Sequence, residues 1–168
     1  MNSDHDNTKI FNMNQKITVV GSGYVGMSLA VLLAQHNDVS VFDISIDRVE
    51  KINNRESVID DLEIKKYLSK KSLSLSATID KKIAYKNANL IIVATPTDYD
   101  VDKDSFDTKS VESVINDIMA INPGATVIIK STVPIGYTAN LKKLLNFDNI
   151  LFSPEFLREG KSLHDNLY

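Results

Sequence analysis

The sequence predicts an α/β fold with an open, doubly wound, mostly parallel sheet. Three observations carry this. Strand-length apolar runs alternate with helical segments along the chain. Two of the runs, residues 90–94 and, after its opening threonine, Thr126–Ile129, are continuous apolar stretches of the type expected of parallel strands covered on both faces. The first strand also passes directly into a glycine-rich turn that opens a helix.

Residues 1–15 are polar and show neither a period of 2 nor one of 3.6, so they read as a flexible extension, with Met13 a candidate start. Residues 16–168 then make one domain. Its first strand is the β-branched run Ile17-Thr18-Val19-Val20, followed by Gly21-Ser22-Gly23-Tyr24-Val25-Gly26 and a helix. That helix carries Val25, Leu29, Leu32 and Leu33 at spacings that predict one buried face. A second strand at 39–42 is closed by Asp43, and a helix over 47–53 puts Val49 and Ile52 on one side, completing a βαβ unit. Residues 60–71 predict a charged surface helix, and Leu73-Ser74-Leu75-Ser76 a short strand exposed on one face. Between the two apolar strands lies a helix with Val111, Val114, Ile115, Ile118 and Met119 on one face, stopped by Asn122-Pro123-Gly124. A helix at Tyr137–Leu145 precedes a last strand at 149–152.

Composition narrows the function. The 168 residues, 43% hydrophobic and 24% charged, suffice for one core of ordinary size but not two. Six Gly and four Pro exclude fibrous and low-complexity classes. A net charge of -3 with a pI near 5.6 argues against a nucleic-acid surface, which needs clustered Lys and Arg. The apolar runs are too short to span a membrane, and residues 1–15 lack the pattern of a secretory signal, so a cytoplasmic location is expected. With no cysteine there is no disulfide, thiolate metal site or cysteine nucleophile in these residues. His5, His36 and His164 are too scattered for a metal site. Asp98, Asp100, Asp102 and Asp104 begin like a calcium loop, but Lys103 and Lys109 stand where that loop needs Gly and Glu, leaving a solvated acidic loop. No metal is expected.

Gly21, Gly23 and Gly26 form a G-x-G-x-x-G between a strand and a helix, the setting in which backbone N–H groups and a helix N-terminus face a pyrophosphate. Asp43 ends the second strand, where a carboxylate accepts hydrogen bonds from the adenosine ribose. A purely structural reading makes the glycines a tight turn and Asp43 a cap for the next helix. The βαβ context favours the cofactor, and Ile44, in place of a basic residue that would greet a 2′-phosphate, favours NAD over NADP. Arg48 is either a solvated charge or reaches the pyrophosphate or adenine side. Three segments follow the C-terminal ends of strands, where such sheets build their sites: Thr95-Pro96-Thr97, residues 131–136 and residues 153–160. Read structurally, Pro96 and Pro134 shape loops, and Thr132 or Ser153 caps a helix.

Four segments in this order, Gly21 to Gly26, Ala94-Thr95-Pro96-Thr97, Lys130-Ser131-Thr132-Val133-Pro134-Ile135-Gly136 and Ser153-Pro154-Glu155-Phe156-Leu157-Arg158-Glu159-Gly160, resemble the UDP-glucose 6-dehydrogenases. The likeness runs over 16–168 and implies a Rossmann-type, NAD-binding N-terminal domain. It further implies oxidation of UDP-glucose to UDP-glucuronate with two NAD and a covalent thioester between the steps. Related enzymes acting on GDP-mannose or UDP-N-acetylmannosamine share the plan and remain alternatives, as does a non-enzymatic NAD-binding module. By the resemblance Gly21, Gly23, Tyr24, Val25, Gly26, Asp43, Arg48, Thr97, Thr132 and Glu159 bind NAD. Glu155, Phe156, Leu157, Arg158 and Glu159 line the sugar-nucleotide pocket. Thr132, Glu155 and Glu159 carry chemistry, Glu155 as a general base and Thr132 orienting a water. Family members are more than twice as long and homodimeric. Their central helix and C-terminal UDP-binding domain, with the nucleophilic cysteine, have no counterpart in these residues, so this chain by itself is expected to bind NAD without turnover.

Overall fold

The computed structural model describes residues 14–70, 72–100 and 105–168. The extension up to residue 13, Lys71 at the end of the charged helix, His5, and Asp102, Lys103 and Asp104 of the acidic loop lie outside them.

The chain runs β1 (Lys16–Val20), α1 (Tyr24–Leu33), β2 (Asp38–Phe42), α2 (Ile46–Asn53), α3 (Leu62–Lys70), β3 (Leu75–Thr78) and α4 (Lys81–Tyr85). It continues with β4 (Leu90–Val93), β5 (Tyr99–Asp100), β6 (Ser105–Phe106), α5 (Lys109–Ile121), β7 (Thr126–Ile129), α6 (Tyr137–Leu145), β8 (Ile150–Phe152) and α7 (Ser162–Leu167). Six strands form one parallel sheet in the order β3-β2-β1-β4-β7-β8. β5 and β6 pair as a small antiparallel hairpin. β1 sits at the centre, Ile17 aligned with Val39 on one side and Leu90 on the other. The chain therefore winds outward to β3 and then returns to build the second half, which leaves a switch point between β1 and β4.

Because side chains alternate along a strand, each strand feeds two layers. Ile17 and Val19 of β1 join Met27, Val39, Val41, Ile52, Ile64 and Leu163 on one face of the sheet. Val20 joins Tyr85, Ile91, Val93, Val111, Ile115, Val127 and Ile150 on the other. Each fully buried side chain of this size contributes about 1.5–3 kcal/mol, so a six-stranded parallel sheet is stable only with both layers in place.

Details differ from the sequence reading. The buried residues of α1 are Gly26, Met27, Ser28, Ala30 and Val31, while Leu29, Leu32 and Leu33 are only partly buried. The cause is that α1 is apolar all round and touched on two sides, by β1 and β2 and by α3 and α7. Gly26, Ser28 and Ala30 take the crowded side together with Met27 and Val31. β3 begins two residues later than the predicted strand, although Leu75 and Ala77 are buried and alternate with exposed Ser76 as expected of a half-covered edge. α4, the β5–β6 hairpin and α7 had no counterpart among the predicted elements. α5 buries Val111, Val114, Ile115 and Ile118 as predicted, with Met119 partly buried.

Candidate functional site

All six strands of the main sheet point the same way, so the segments after β1, β2, β4, β7 and β8 gather at one edge. Backbone hydrogen bonds lace them in order: Gly21 N–H donates to Phe42 O at 2.9 Å, Ala94 N–H to Val20 O at 2.9 Å, Lys130 N–H to Val93 O at 2.8 Å and Ser153 N–H to Ile129 O at 3.1 Å. Ser131 Oγ adds a bond to Thr95 O at 2.7 Å, and Ser110 Oγ bonds Pro96 O at 2.7 Å. The edge is thus a rigid platform rather than a set of independent loops.

The three glycines of the first turn are needed for different reasons. Gly21 has φ +96°, and a Cβ there would lie 2.6 Å from Ala94 O. A Cβ on Gly26 would lie 1.9 Å from Gly21 O, so only glycine lets α1 pack onto the turn. Gly23 is the contrast: its φ of -73° suits any residue, and a Cβ would meet no atom of the chain within 4 Å. The space above Gly23 is open. It also borders the start of α1, which has Gly23 as N-cap, no side-chain cap and no acidic residue in its first turn. The N–H groups of Tyr24, Val25 and Gly26 therefore have the character of an anion site. A cradle that a side chain would fill and an uncapped helix N-terminus are what a dinucleotide pyrophosphate requires.

Asp43 lies beside that cradle. Its Oδ2 accepts from Ser22 N at 2.9 Å and Ser22 Oγ at 2.5 Å, and its Oδ1 accepts from Ser45 N at 2.9 Å. A carboxylate offers about four acceptor positions, so Oδ1 keeps room for a ribose hydroxyl. Asp43 does not cap α2; Ser45 does, accepting from Arg48 N at 3.4 Å. Arg48 is no solvated charge either. Its Nη1 donates to Ser22 O at 2.9 Å and to Ser22 Oγ at 3.2 Å, tying α2 to the glycine turn.

At the other end of the edge, Glu155 meets Lys130. Their side chains are 15% and 11% exposed, and Lys130 Nζ lies 2.9 Å from Glu155 Oε2. Glu155 Oε1 accepts from Phe156 N at 3.2 Å. Thr97 is half-buried after β4, whereas Thr132 and Glu159 are exposed; their side chains make no hydrogen bond or ion pair among the described residues. Thr132 does not cap α6, whose N-cap is Gly136. Phe156 is 89% exposed, and Leu157 is half-buried. Arg158 Nε and Nη2 grip Asp165 at 3.1 and 2.5 Å, which holds the Asp165 carboxyl well below the usual range.

Residues 15–168 match the UDP-glucose/GDP-mannose dehydrogenase family, NAD binding domain. The chain belongs to this family. As its NAD-binding domain, the chain is 56% identical over 153 residues to a UDP-glucose 6-dehydrogenase of Streptococcus pneumoniae, covering 91% of this chain and 39% of that protein. It is 49% identical over 155 residues to a UDP-glucose 6-dehydrogenase of Campylobacter jejuni, again covering 91% of this chain and 39% of that protein. Among solved structures, a UDP-glucose dehydrogenase from Pyrobaculum islandicum superposes with a TM-score of 0.81 at 26% identity, covering 94% of this chain and 39% of that one. The domain thus spans about two fifths of the length of these relatives. No helix among the described residues is long and apolar enough to cross a membrane.

Three contributors to the NAD-binding domain's edge carry no role in the sequence reading: Ser22, Lys130 and Asp61. Ser22, 1% exposed, is the joint between Asp43 and Arg48. Its place inside the glycine motif was the available signal. Asp61 is 1% exposed and anchors the far end of the 153–160 segment, its Oδ2 accepting from Ser162 Oγ at 2.8 Å and Leu163 N at 3.3 Å. Its Oδ1 accepts from Glu63 N and Ile64 N at the start of α3. Burial works against its charge, but the four hydrogen bonds prevail and keep the carboxyl below its ordinary range.

Proposed function

We propose that this domain holds NAD within an enzyme that oxidises the C6 alcohol of UDP-glucose to the carboxylate of UDP-glucuronate, using two NAD. The observation that carries the reading is the open cradle over Gly23 at the uncapped start of α1, beside the remaining acceptor position of Asp43. NAD supplies the hydride-accepting chemistry. The Tyr24, Val25 and Gly26 N–H groups bind its pyrophosphate, with Gly21 and Gly23 letting the backbone approach. Asp43 accepts a ribose hydroxyl, and its negative charge, with Ile44 next to it, disfavours a 2′-phosphate. Arg48 fixes the turn through Ser22 and adds positive charge near the pyrophosphate. Thr97, Thr132 and Glu159 complete the cofactor contacts from the edge.

Glu155 takes a proton from the reacting hydroxyl or from a water that Thr132 orients, and Glu155 to Glu159 line the sugar-nucleotide pocket through Phe156, Leu157 and Arg158. The 56% identity to a protein named UDP-glucose 6-dehydrogenase supports UDP-glucose as the sugar nucleotide. Having no cysteine, these 168 residues form no thioester and do not complete the two-step oxidation, so mixing them with UDP-glucose and NAD yields no steady NADH production. Steady NADH production, followed by absorbance, would sink that part of the reading.

Calorimetric titration with NAD and NADP tests the cofactor assignment. Saturable NAD binding is expected, with NADP weaker by about tenfold or more from charge repulsion at Asp43. Asp43→Ala lowers NAD affinity by about tenfold and narrows the gap between the two cofactors. Failure of a folded chain to bind NAD, or equal affinity for NADP, refutes the assignment.

A further inference from the structure

The Lys130–Glu155 pair is placed where an ordinary loop fastening would not need it. Lys130 is the first residue after β7, Glu155 the third after β8, and both charges are largely withdrawn from water. Burying an ion pair gains little stability over well-packed apolar side chains, so the pair has to be explained by what it holds. Lys130 Nζ touches three consecutive residues. It lies 3.3 Å from Ser153 Oγ, 3.2 Å from Pro154 O and 2.9 Å from Glu155 Oε2. Oε2 is sealed from solvent and approached by Nζ at an angle unsuited to a hydrogen bond, so the contact is ionic and its direction is set by the lysine's other two partners. Oε1 is held separately by Phe156 N.

We propose that Lys130 is the positioning residue for Glu155, using Ser153 and Pro154 as a fixed base from which its charge aims the carboxylate at the reaction edge. The inference rests on the reading of Glu155 as proton acceptor and adds the group that fixes it. A lysine does this better than an arginine fork because three converging partners suit a compact, rotatable ammonium.

The test uses the 168-residue chain with glutamate labelled at the carboxyl carbon, the Glu155 signal being assigned by its loss in Glu155→Gln. In Lys130→Met the Glu155 carboxyl signal moves, and the Phe156 amide exchanges with solvent about tenfold faster. Lys130→Arg returns the signal most of the way to its wild-type position. The Ala94 amide, bonded to Val20 O inside the sheet, exchanges at the wild-type rate in both variants. If Lys130→Met does not fold, the same contact is read from the other side: Lys130 ammonium protons exchange about tenfold faster in Glu155→Gln than in wild type. An unmoved Glu155 signal in folded Lys130→Met, unchanged ammonium exchange in Glu155→Gln, or an Ala94 amide loosened as much as Phe156 overturns the proposal. None of these readouts depends on turnover, so an error in the role of Glu155 is distinguishable from an error in the role of Lys130.

Discussion

Gly26→Ala destabilises the domain by roughly 3 kcal/mol and lowers NAD affinity by about 100-fold. The new Cβ would stand 1.9 Å from Gly21 O, a backbone atom with no rotamer to retreat into. Either α1 lifts from the turn or the turn moves toward Ala94, whose carbonyl already lies 2.6 Å from the position of a Cβ on Gly21. Both movements take the N–H groups of Tyr24 and Val25 away from the cradle. Gly23→Ala gives the opposite pattern. With nothing of the chain within 4 Å of its Cβ and an unstrained φ, it leaves stability within about 0.5 kcal/mol while weakening NAD, because the methyl occupies the ligand's space. Thermal melts and calorimetry on the two variants separate the fold from the binding. Equal melting temperatures would show that the α1 packing is slacker than described, and undiminished NAD affinity in Gly23→Ala would place the cofactor elsewhere.

Asp61→Ala carries the second large effect, a loss of roughly 3 kcal/mol. It removes the cap of α3 and strands Ser162 Oγ and Leu163 N–H, both in residues with no exposed surface. The pH dependence follows from the lowered carboxyl. A group more acidic in the folded than in the unfolded chain stabilises the fold above its unfolded value, and that contribution fades as pH falls through the folded one. The stability gap between wild type and Asp61→Ala is therefore full at pH 7 and shrinks as the solution is acidified below about pH 4. Urea unfolding at neutral and acid pH measures it. A gap that stays constant would mean that Asp61 contributes by shape and not by charge.

The sheet was legible because its physics is local: a parallel strand covered on both faces is mostly apolar, as Leu90 to Val93 are and as Val127 to Ile129 are in β7. The glycine turn was legible because strand, turn and helix are contiguous. The face of α1 was not, since periodicity cannot choose a side when Met27, Ala30 and Val31 are as apolar as Leu29, Leu32 and Leu33. α4 has five residues and β5 and β6 two each, too few for any period to register. Partnerships across the chain were the least accessible. Asp61 sits in a charge-rich stretch that reads as solvated, and the residues that bury it lie 101 and 102 positions away. Nothing in the sequence joins Lys130 to Glu155 until β7 and β8 are set side by side.

The position of Leu163 bears on how the chain reaches its native state. It is fully buried in the layer formed otherwise by residues 17 to 92, in the cluster that also holds Ile17, Met27, Val39, Ile52 and Ile64, with α7 lying against α1 and α3. The first βαβ half consequently has no complete core until the last helix arrives, and β1 must also wait for β4, more than seventy positions on, to be paired on its second side. Such distant closures slow folding and leave little to be gained by forming either half first. The domain should then unfold in a single cooperative step, with probes in β2 and in β7 reporting the same transition, and its nascent chain should stay protease-sensitive until α7 has emerged.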